Sequence, residues 1–323
     1  MKNRSIRARS VVPALSSLAV FCSPLLAQTS KPEIVVTASR TEQILTDVLP
    51  HTTVLGRDAI EQSQVMDLPS LLSREAGFQF TQTGGRGGQA TAFLRGAASL
   101  QVLVLVDGVP MTKQDTTGAV SLEHIMLDQV DRIEIVRGNV SAIHGSGAVG
   151  GVIQVFTRQG SGQPTLFATV EQGSLGTSRR QIGTQGSTGR LGYSVSVSRL
   201  DTRGINAANN DQTVNANPDV DGYTNENRSL ALSYKLSTEH QLGVRSTQFN
   251  GRFDYDVSGS FSSPQDVHKG GTKIDSNSFF WFGRLNSIWS TRLSYTDAKE
   301  RNTTQTLGLF PFATEAETRS QIT

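Results

Sequence analysis

Cysteine is almost missing: one residue, Cys22, in a chain of 323. It lies within an apolar N-terminal leader, so the chain beyond the leader has no thiol and no disulfide framework. Phe21, a large side chain directly before Cys22, argues against a lipid-modified cysteine, whose signal wants a small residue there. An excess of one charge is missing too. Basic residues number 30 and acidic ones 28, a formal net charge of +2, and Lys2, Arg4, Arg7 and Arg9 all fall in the leader. No basic stripe remains that would mark a nucleic-acid interface. Beyond the leader no run approaches about eighteen apolar residues, which excludes a spanning helix. Any crossing of a membrane would therefore be made with strands. The histidines number five, and no Cys-His or Ser-His-Asp spacing stands out. No catalytic set is assigned, and the chain does not read as an enzyme.

What is present begins with the leader. Its four cations precede a largely apolar stretch over residues 11–26, and Ala27 stands before a polar start at Gln28. This is the pattern of a secretory signal peptide over residues 1–27. A polar spacer and a β-branched run follow, Glu33-Ile34-Val35-Val36-Thr37-Ala38-Ser39. Such a run near a chain end is good strand and poor helix, and an exposed strand can accept a partner by strand addition.

Glycine is plentiful, 31 residues, and concentrates in the stretch that organises the chain, residues 130–157. Ile133 and Ile135 alternate with Arg132 and Glu134, a strand that turns at Arg137-Gly138. The chain crosses Gly145, Gly147, Gly150 and Gly151 and enters a second apolar run, Val152-Ile153-Gln154-Val155-Phe156. Glycine at this density lets backbone approach backbone. Gly145 to Gly150 also spells G-x-G-x-x-G, with Glu171 about twenty residues on, as dinucleotide sites have. That motif has to open a helix in a βαβ unit. Here it leads into a strand, and the nucleotide reading is rejected.

Upstream, residues 49–55 read as a strand. Asp58 is placed as the N-cap of one helix and Asp67 as that of a second, with Pro69 in its first turn and Gly77 at its end. Residues 78–81 read as a strand. Residues 83–88, TGGRGG, lack the Gly-Lys-Ser/Thr of a phosphate cradle and read as a mobile loop. Residues 91–96 and 102–107 read as adjacent strands, the second buried on both faces because it is apolar at every position from 102 to 106. Together these make a small α+β domain over residues 40–160.

After Gly160-Ser161-Gly162 the pattern turns to period two. Tyr193, Val195 and Val197 alternate with serines; Leu230, Leu232 and Tyr234 alternate with Ala231, Ser233 and Lys235. One apolar face and one small polar face suit a strand between lipid and a wet lumen. Phe279, Phe280, Trp281, Trp289 and Tyr295 fit an interfacial girdle. Residues 206–227 and 258–278, rich in Asn, Asp, Ser and Gly, are assigned to long outer loops. Within the first, Asp219 and Asp221 stand one residue apart before Gly222, a spacing that can aim carboxylates at one hard cation. Asp254 or Asp256 from the neighbouring loop could add a further ligand.

These pieces carry a resemblance. TAFLRG (91–96), VLVLVDGVP (102–110), RIEIVRG (132–138) and SAIHGSGAVGGVIQVFT (141–157), in this order, resemble the plug domain of TonB-dependent outer-membrane receptors, most of all those of the cobalamin type. Asn139 stands where the family commonly has proline, and His144 where it commonly has tyrosine. The resemblance implies an outer-membrane protein with a periplasmic tail over 28–39, whose residues 33–39 are the TonB box that pairs with TonB. It implies that Arg86 and Gln89 face substrate, and that Arg95 and Arg137 pair with barrel glutamates to lock the plug, Glu171 being one candidate partner. It also implies Ca²⁺ at Asp219, Asp221 and Asp256. The expected activity is TonB-dependent uptake of a corrinoid such as cobalamin, with a ferric siderophore as the alternative substrate. A surface β-protein acting as adhesin or binding module is the alternative class. A plugged barrel of this kind has about 22 strands, and residues 161–323 hold only the first antiparallel strands. The fold expected is an α+β plug followed by an incomplete transmembrane β-barrel.

Overall fold

The computed structural model describes residues 34–35, 43–44, 51–111, 120–208, 214–259, 262–309 and 311–322. The signal peptide and, of the tail strand, Glu33, Val36, Thr37, Ala38 and Ser39 lie outside the described residues. The two tail residues that are described form β1 (Ile34–Val35), which pairs antiparallel with β2 (Gln43–Ile44).

Five strands make the plug sheet: β3 (His51–Leu55), β6 (Val102–Val106), β7 (Val109–Met111), β8 (Val130–Arg137) and β9 (Gly151–Thr157), in the order β3-β8-β9-β6-β7. Only β6 and β9 run parallel. Ile133, Ile135, Ile153, Val155, Val104 and Val106 form its core and are buried. At about 1.5–3 kcal/mol per fully buried aliphatic side chain, this cluster dominates plug stability. The glycine seam works as expected: a Cβ on Gly151, at φ +150°, would overlap the Val136 carbonyl oxygen. Gly145 and its neighbours pass through a short turn into β9, not into a helix.

Two short helices, α1 (Arg57–Ser63) and α2 (Leu68–Leu72), cover this sheet. Asp67 caps α2 by accepting from the Ser70 amide at 2.9 Å. Asp58 is not the cap of α1; Gly56 is, and Asp58 sits in the first turn, where its charge still favours the helix N-terminus. Likewise α2 ends at Leu72, before Gly77, which instead takes φ +87° at the entry to β4. β4 (Phe78–Gln82) and β5 (Ala90–Leu94) form a separate hairpin, so residues 91–96 and 102–107 belong to different sheets. A third helix, α3 (Ser141–His144), precedes the glycine turn.

The eight remaining strands form one antiparallel sheet in sequence order: β10 (Thr165–Gln172), β11 (Ser178–Thr188), β12 (Leu191–Thr202), β13 (Tyr223–Lys235), β14 (His240–Tyr255), β15 (Val267–Arg284), β16 (Ser290–Leu307) and β17 (Phe312–Ile322). The sheet is not closed; β10 and β17 are its edges. Its faces divide as the period-two pattern requires. Ser194, Ser196 and Ser198 are buried toward the plug, while Val195, Val197, Leu230 and Leu232 are exposed outward. The connections also divide. At one end lie the short turns 189–190, 236–239 and 285–289, with Trp289, Leu293 and Tyr295 exposed beside them. At the other end lie 203–208, 214–222, 256–259 and 262–266. Residues 267–278, assigned from sequence to a loop, are instead the first part of β15. Their composition is polar, but His268, Thr272, Ile274 and Ser276 alternate inward against Lys269, Lys273 and Asn277 outward, which is strand periodicity beyond the apolar band.

Candidate ligand and cation site

The plug meets the sheet through residues 120–130, two short helical turns whose side chains are nearly all buried. His124 is central and fully buried. Its Nδ1 lies 3.1 Å from the Tyr223 hydroxyl, its carbonyl accepts from Asn225 Nδ2 at 3.1 Å, and Asn225 Nδ2 also donates to Tyr223 at 2.6 Å. The sheet leaves room for that ring: a Cβ on Gly251 would overlap the His124 imidazole. Phe249 and Ile274 of the sheet pack into the same core as Leu122, Ile125 and Leu127.

Charge fixes the interface as well. Arg179 on β11 donates from Nε to Asp128 of the plug at 2.7 Å and from Nη1 to Glu171 on β10 at 2.9 Å. Gln181 Nε2 donates to the Asp128 carbonyl at 2.9 Å. Ser121 donates to Glu300 of β16 at 2.9 Å. The lock therefore has the opposite polarity to the one expected, with an arginine of the sheet and an aspartate of the plug. Arg137 is held inside the plug, by Thr53 Oγ1 at 2.6 Å, the Ala76 carbonyl at 3.0 Å and Glu75 at 3.3 Å. It is the last residue of a buried strand, and its acid partner is on the loop after α2. Arg95 is exposed in a left-handed turn at φ +51°, with no carboxylate partner among the described residues. Glu171 is engaged by Arg179.

At the long-loop end a cavity of about 490 Å³ opens between plug and sheet. Thr83, Gly84 and Gln89 of the plug loop line it, with Ala207, Tyr255 and Asp256 opposite. Gln89 thus faces the space expected for a ligand. Arg86 does not line it; its Nη1 donates to Asp67 at 2.6 Å, which ties the glycine loop back to the cap of α2.

Beside this cavity Asp219, Asp221 and Asp256 converge, one oxygen of each lying within 4.8 Å of the others. Oxygens bound about 2.4 Å from one Ca²⁺ ion can lie at most about 5 Å apart, so the spacing fits a single ion. Asp221 Oδ2 accepts from the Ala207 amide at 2.8 Å, while its Oδ1 and both Asp256 oxygens are shut from water without a hydrogen bond of good geometry. Burial pushes the Asp221 carboxyl up to about 6, with Asp256, Asp219 and Asp254 adding repulsion against the Ala207 hydrogen bond. Burial and Asp219 raise Asp256 as well. Two carboxylates raised by burial, with buried oxygens that lack a hydrogen bond and with Asp219 beside them, fit a divalent cation. Of the two alternatives on the neighbouring loop, Asp256 joins the cluster and Asp254 is paired with Lys269 at 3.1 Å.

The sequence reading missed residues 120–130, Arg179, Tyr223 and Asn225. A signal existed for one part: a polar Glu123-His124 pair set within Leu122, Ile125, Met126 and Leu127 is an unusual interruption in an apolar run.

Residues 45–152 match the TonB-dependent receptor plug domain. The chain is similar to the vitamin B12 transporter BtuB of Vibrio cholerae serotype O1, 32% identical over 294 residues that cover 90% of this chain and 47% of that protein. It is 29% identical over 308 residues to the vitamin B12 transporter BtuB of Vibrio vulnificus, covering 91% of this chain and 48% of the relative. The chain thus spans about half the length of the curated relatives it matches. In fold it is similar to the ferripyoverdine receptor of the outer membrane of Pseudomonas aeruginosa, with a TM-score of 0.59 at 12% identity over 85% of this chain and 41% of the other.

Proposed function

We propose that this chain, which belongs to the TonB-dependent receptors through its plug domain and the incomplete barrel that follows, serves the active uptake of a corrinoid such as cobalamin across the outer membrane. The observation that carries the reading is the aspartate cluster beside a cavity shared by plug loop and sheet. A cation there would tie residues 219–221 to Asp256 and give the cavity a fixed outer lip. The similarity to vitamin B12 transporters supports the choice of corrinoid. Asp219, Asp221 and Asp256 would hold Ca²⁺, and Gln89 would contact substrate. TonB would pair with residues 33–39 in the periplasm and pull on the plug through β1.

The test is cyanocobalamin binding by the full-length receptor, with Ca²⁺ and in its absence. Calcium-strengthened binding is expected. Binding of a ferric siderophore in its place would overturn the corrinoid assignment. Cross-linking from a cysteine placed at Val36 to TonB is expected in the same cells; no adduct would instead support an adhesin or binding module.

A further inference from the structure

The outward face of the sheet changes character along its strands. Near the short turns it is apolar, with Val244 on β14, Phe279 on β15 and Leu293 and Tyr295 on β16 all exposed. Toward the long-loop end it is charged and concave. Arg252, Lys269, Lys273 and Arg301 line an open groove of about 940 Å³, together with Asp254 and Glu315. The cations outnumber the acids, so the groove is net positive.

Strand register builds it. Arg252 stands opposite Gly271, Gly271 opposite Thr303, and Lys273 opposite Arg301, and residues directly opposite share a face of the sheet. Gly271 has no side chain, which leaves an open floor between Arg252 and Thr303. A Cβ there would come within 2.8 Å of Thr303 Oγ1. Three of the four cations are committed: Lys269 to Asp254 at 3.1 Å, Lys273 to Asp275 at 3.3 Å, and Arg301 to Glu315 and Glu317, each at 3.0 Å. Arg252 is exposed and has no carboxylate partner among the described residues. Its neighbours across the strands are Thr224 and Gly271. A guanidinium has five N–H donors in a fork that matches a phosphate.

Height selects the phosphate. Lys273 stands six residues beyond Phe279, and Arg301 six beyond Tyr295. At about 3.3 Å per residue and a tilt of about 40°, both lie about 15 Å outside the apolar band. The polar layer of an ordinary bilayer is only about 5–8 Å deep on each side. A phospholipid phosphate would sit below the groove, whereas a phosphate on the sugars of a large headgroup reaches it.

We propose that this groove binds a phosphate carried on the headgroup sugars of an outer-leaflet glycolipid, with Arg252 as the principal contact and Lys273 and Arg301 beside it. The inference rests on the outward face meeting the outer membrane and not on the corrinoid. A receptor that bound no cobalamin would leave it standing.

The experiment titrates labelled rough-type lipopolysaccharide into the full-length receptor in detergent micelles. The same lipopolysaccharide stripped of phosphate with hydrofluoric acid, and phosphatidylglycerol, serve as comparisons. Wild type is expected to bind the intact lipid at least about tenfold more tightly than either, as several basic groups acting on one phosphate would give. Arg252→Gln should weaken the intact lipid about fivefold, the scale of one basic residue at a lipid surface, and Arg252→Lys should stay within about twofold of wild type. Arg228→Gln removes an exposed cation of the same face outside the groove and should change binding less than about twofold. Equal binding of intact and stripped lipid, equal binding of phosphatidylglycerol, or an equal loss in Arg228→Gln would each overturn the proposal. Inorganic phosphate at about 10 mM should displace little of the lipid, because a free anion lacks its other contacts. Complete displacement would assign the groove to soluble phosphate and overturn the lipid. The lipid comparisons need only wild-type receptor, so a variant that folds poorly does not shield the proposal.

Discussion

Replacing Arg179 with glutamine removes the cation that the sheet offers to the plug. Asp128 is left with its side chain 2% exposed and without its charged partner. Removing one member of a buried pair costs about 3–5 kcal/mol. Arg179 itself is 13% exposed and Glu171 42%, so water reaches the pair from the β10 side and the lower end applies. About 3 kcal/mol corresponds to roughly a hundredfold shift toward an unseated plug. The readout is hydrogen exchange of residues 120–130 in the full-length receptor, where protection should fall by that factor. Adding Asp128→Asn to Arg179→Gln should restore most of it, because the buried charge is then gone and the Gln181 contact to the Asp128 carbonyl survives. If the single variant lost less than about threefold of protection, or the double variant were no better than the single, the pair would not be what seats the plug.

Gly251→Ala places a methyl group in the His124 ring and should separate the plug from β14 locally. A loss of about 1–3 kcal/mol in plug seating is expected by the same exchange measurement, with the outward face of the sheet unaffected. The Asp221 carboxyl gives a pH dependence. Its pKa in the folded protein, about 6, is raised above that of the unfolded chain, so its contribution is stabilising at low pH and is lost as pH rises through 6. Without calcium, residues 203–208 and 214–222 should exchange more slowly at pH 5 than at pH 8 after correction for intrinsic rates. Calcium at pH 8 should restore the protection, and Asp221→Asn should abolish both effects.

The parts of this protein legible from sequence are those in which local chemistry decides the structure. Asp67 followed by Pro69 encodes its own helix start, and Gly151 marks a contact that no side chain would permit. The one-residue spacing of Asp219 and Asp221 could be read directly, while Asp256 reaches them from the connection after β14. The alternation of Val195 and Val197 with serines separated the outer face from the inner one, but the serine face, expected to line a wet lumen, is buried. Tertiary pairing was less visible. Resemblance alone assigns Arg137 to a lock, yet its acid is Glu75, within the plug. Arg179 carried no motif at all; strand register sets it opposite Glu171, and the packing of residues 127–129 against the sheet brings Asp128 to it. Residues 267–278 were misread because the outer face of this strand turns polar there while its inner face keeps the alternation.

Asp266, fully buried at the rim, accepts from the Ser263 amide at 2.9 Å and the Leu309 amide at 2.7 Å, and its own carbonyl accepts from Asn217 at 3.0 Å. Segments belonging to three separate hairpins are thus pinned to a single residue. Replacing just one of them would remove hydrogen bonds that hold the other two. These three connections form one mechanical unit, so a loop exchange should keep its fold only when all three are moved together.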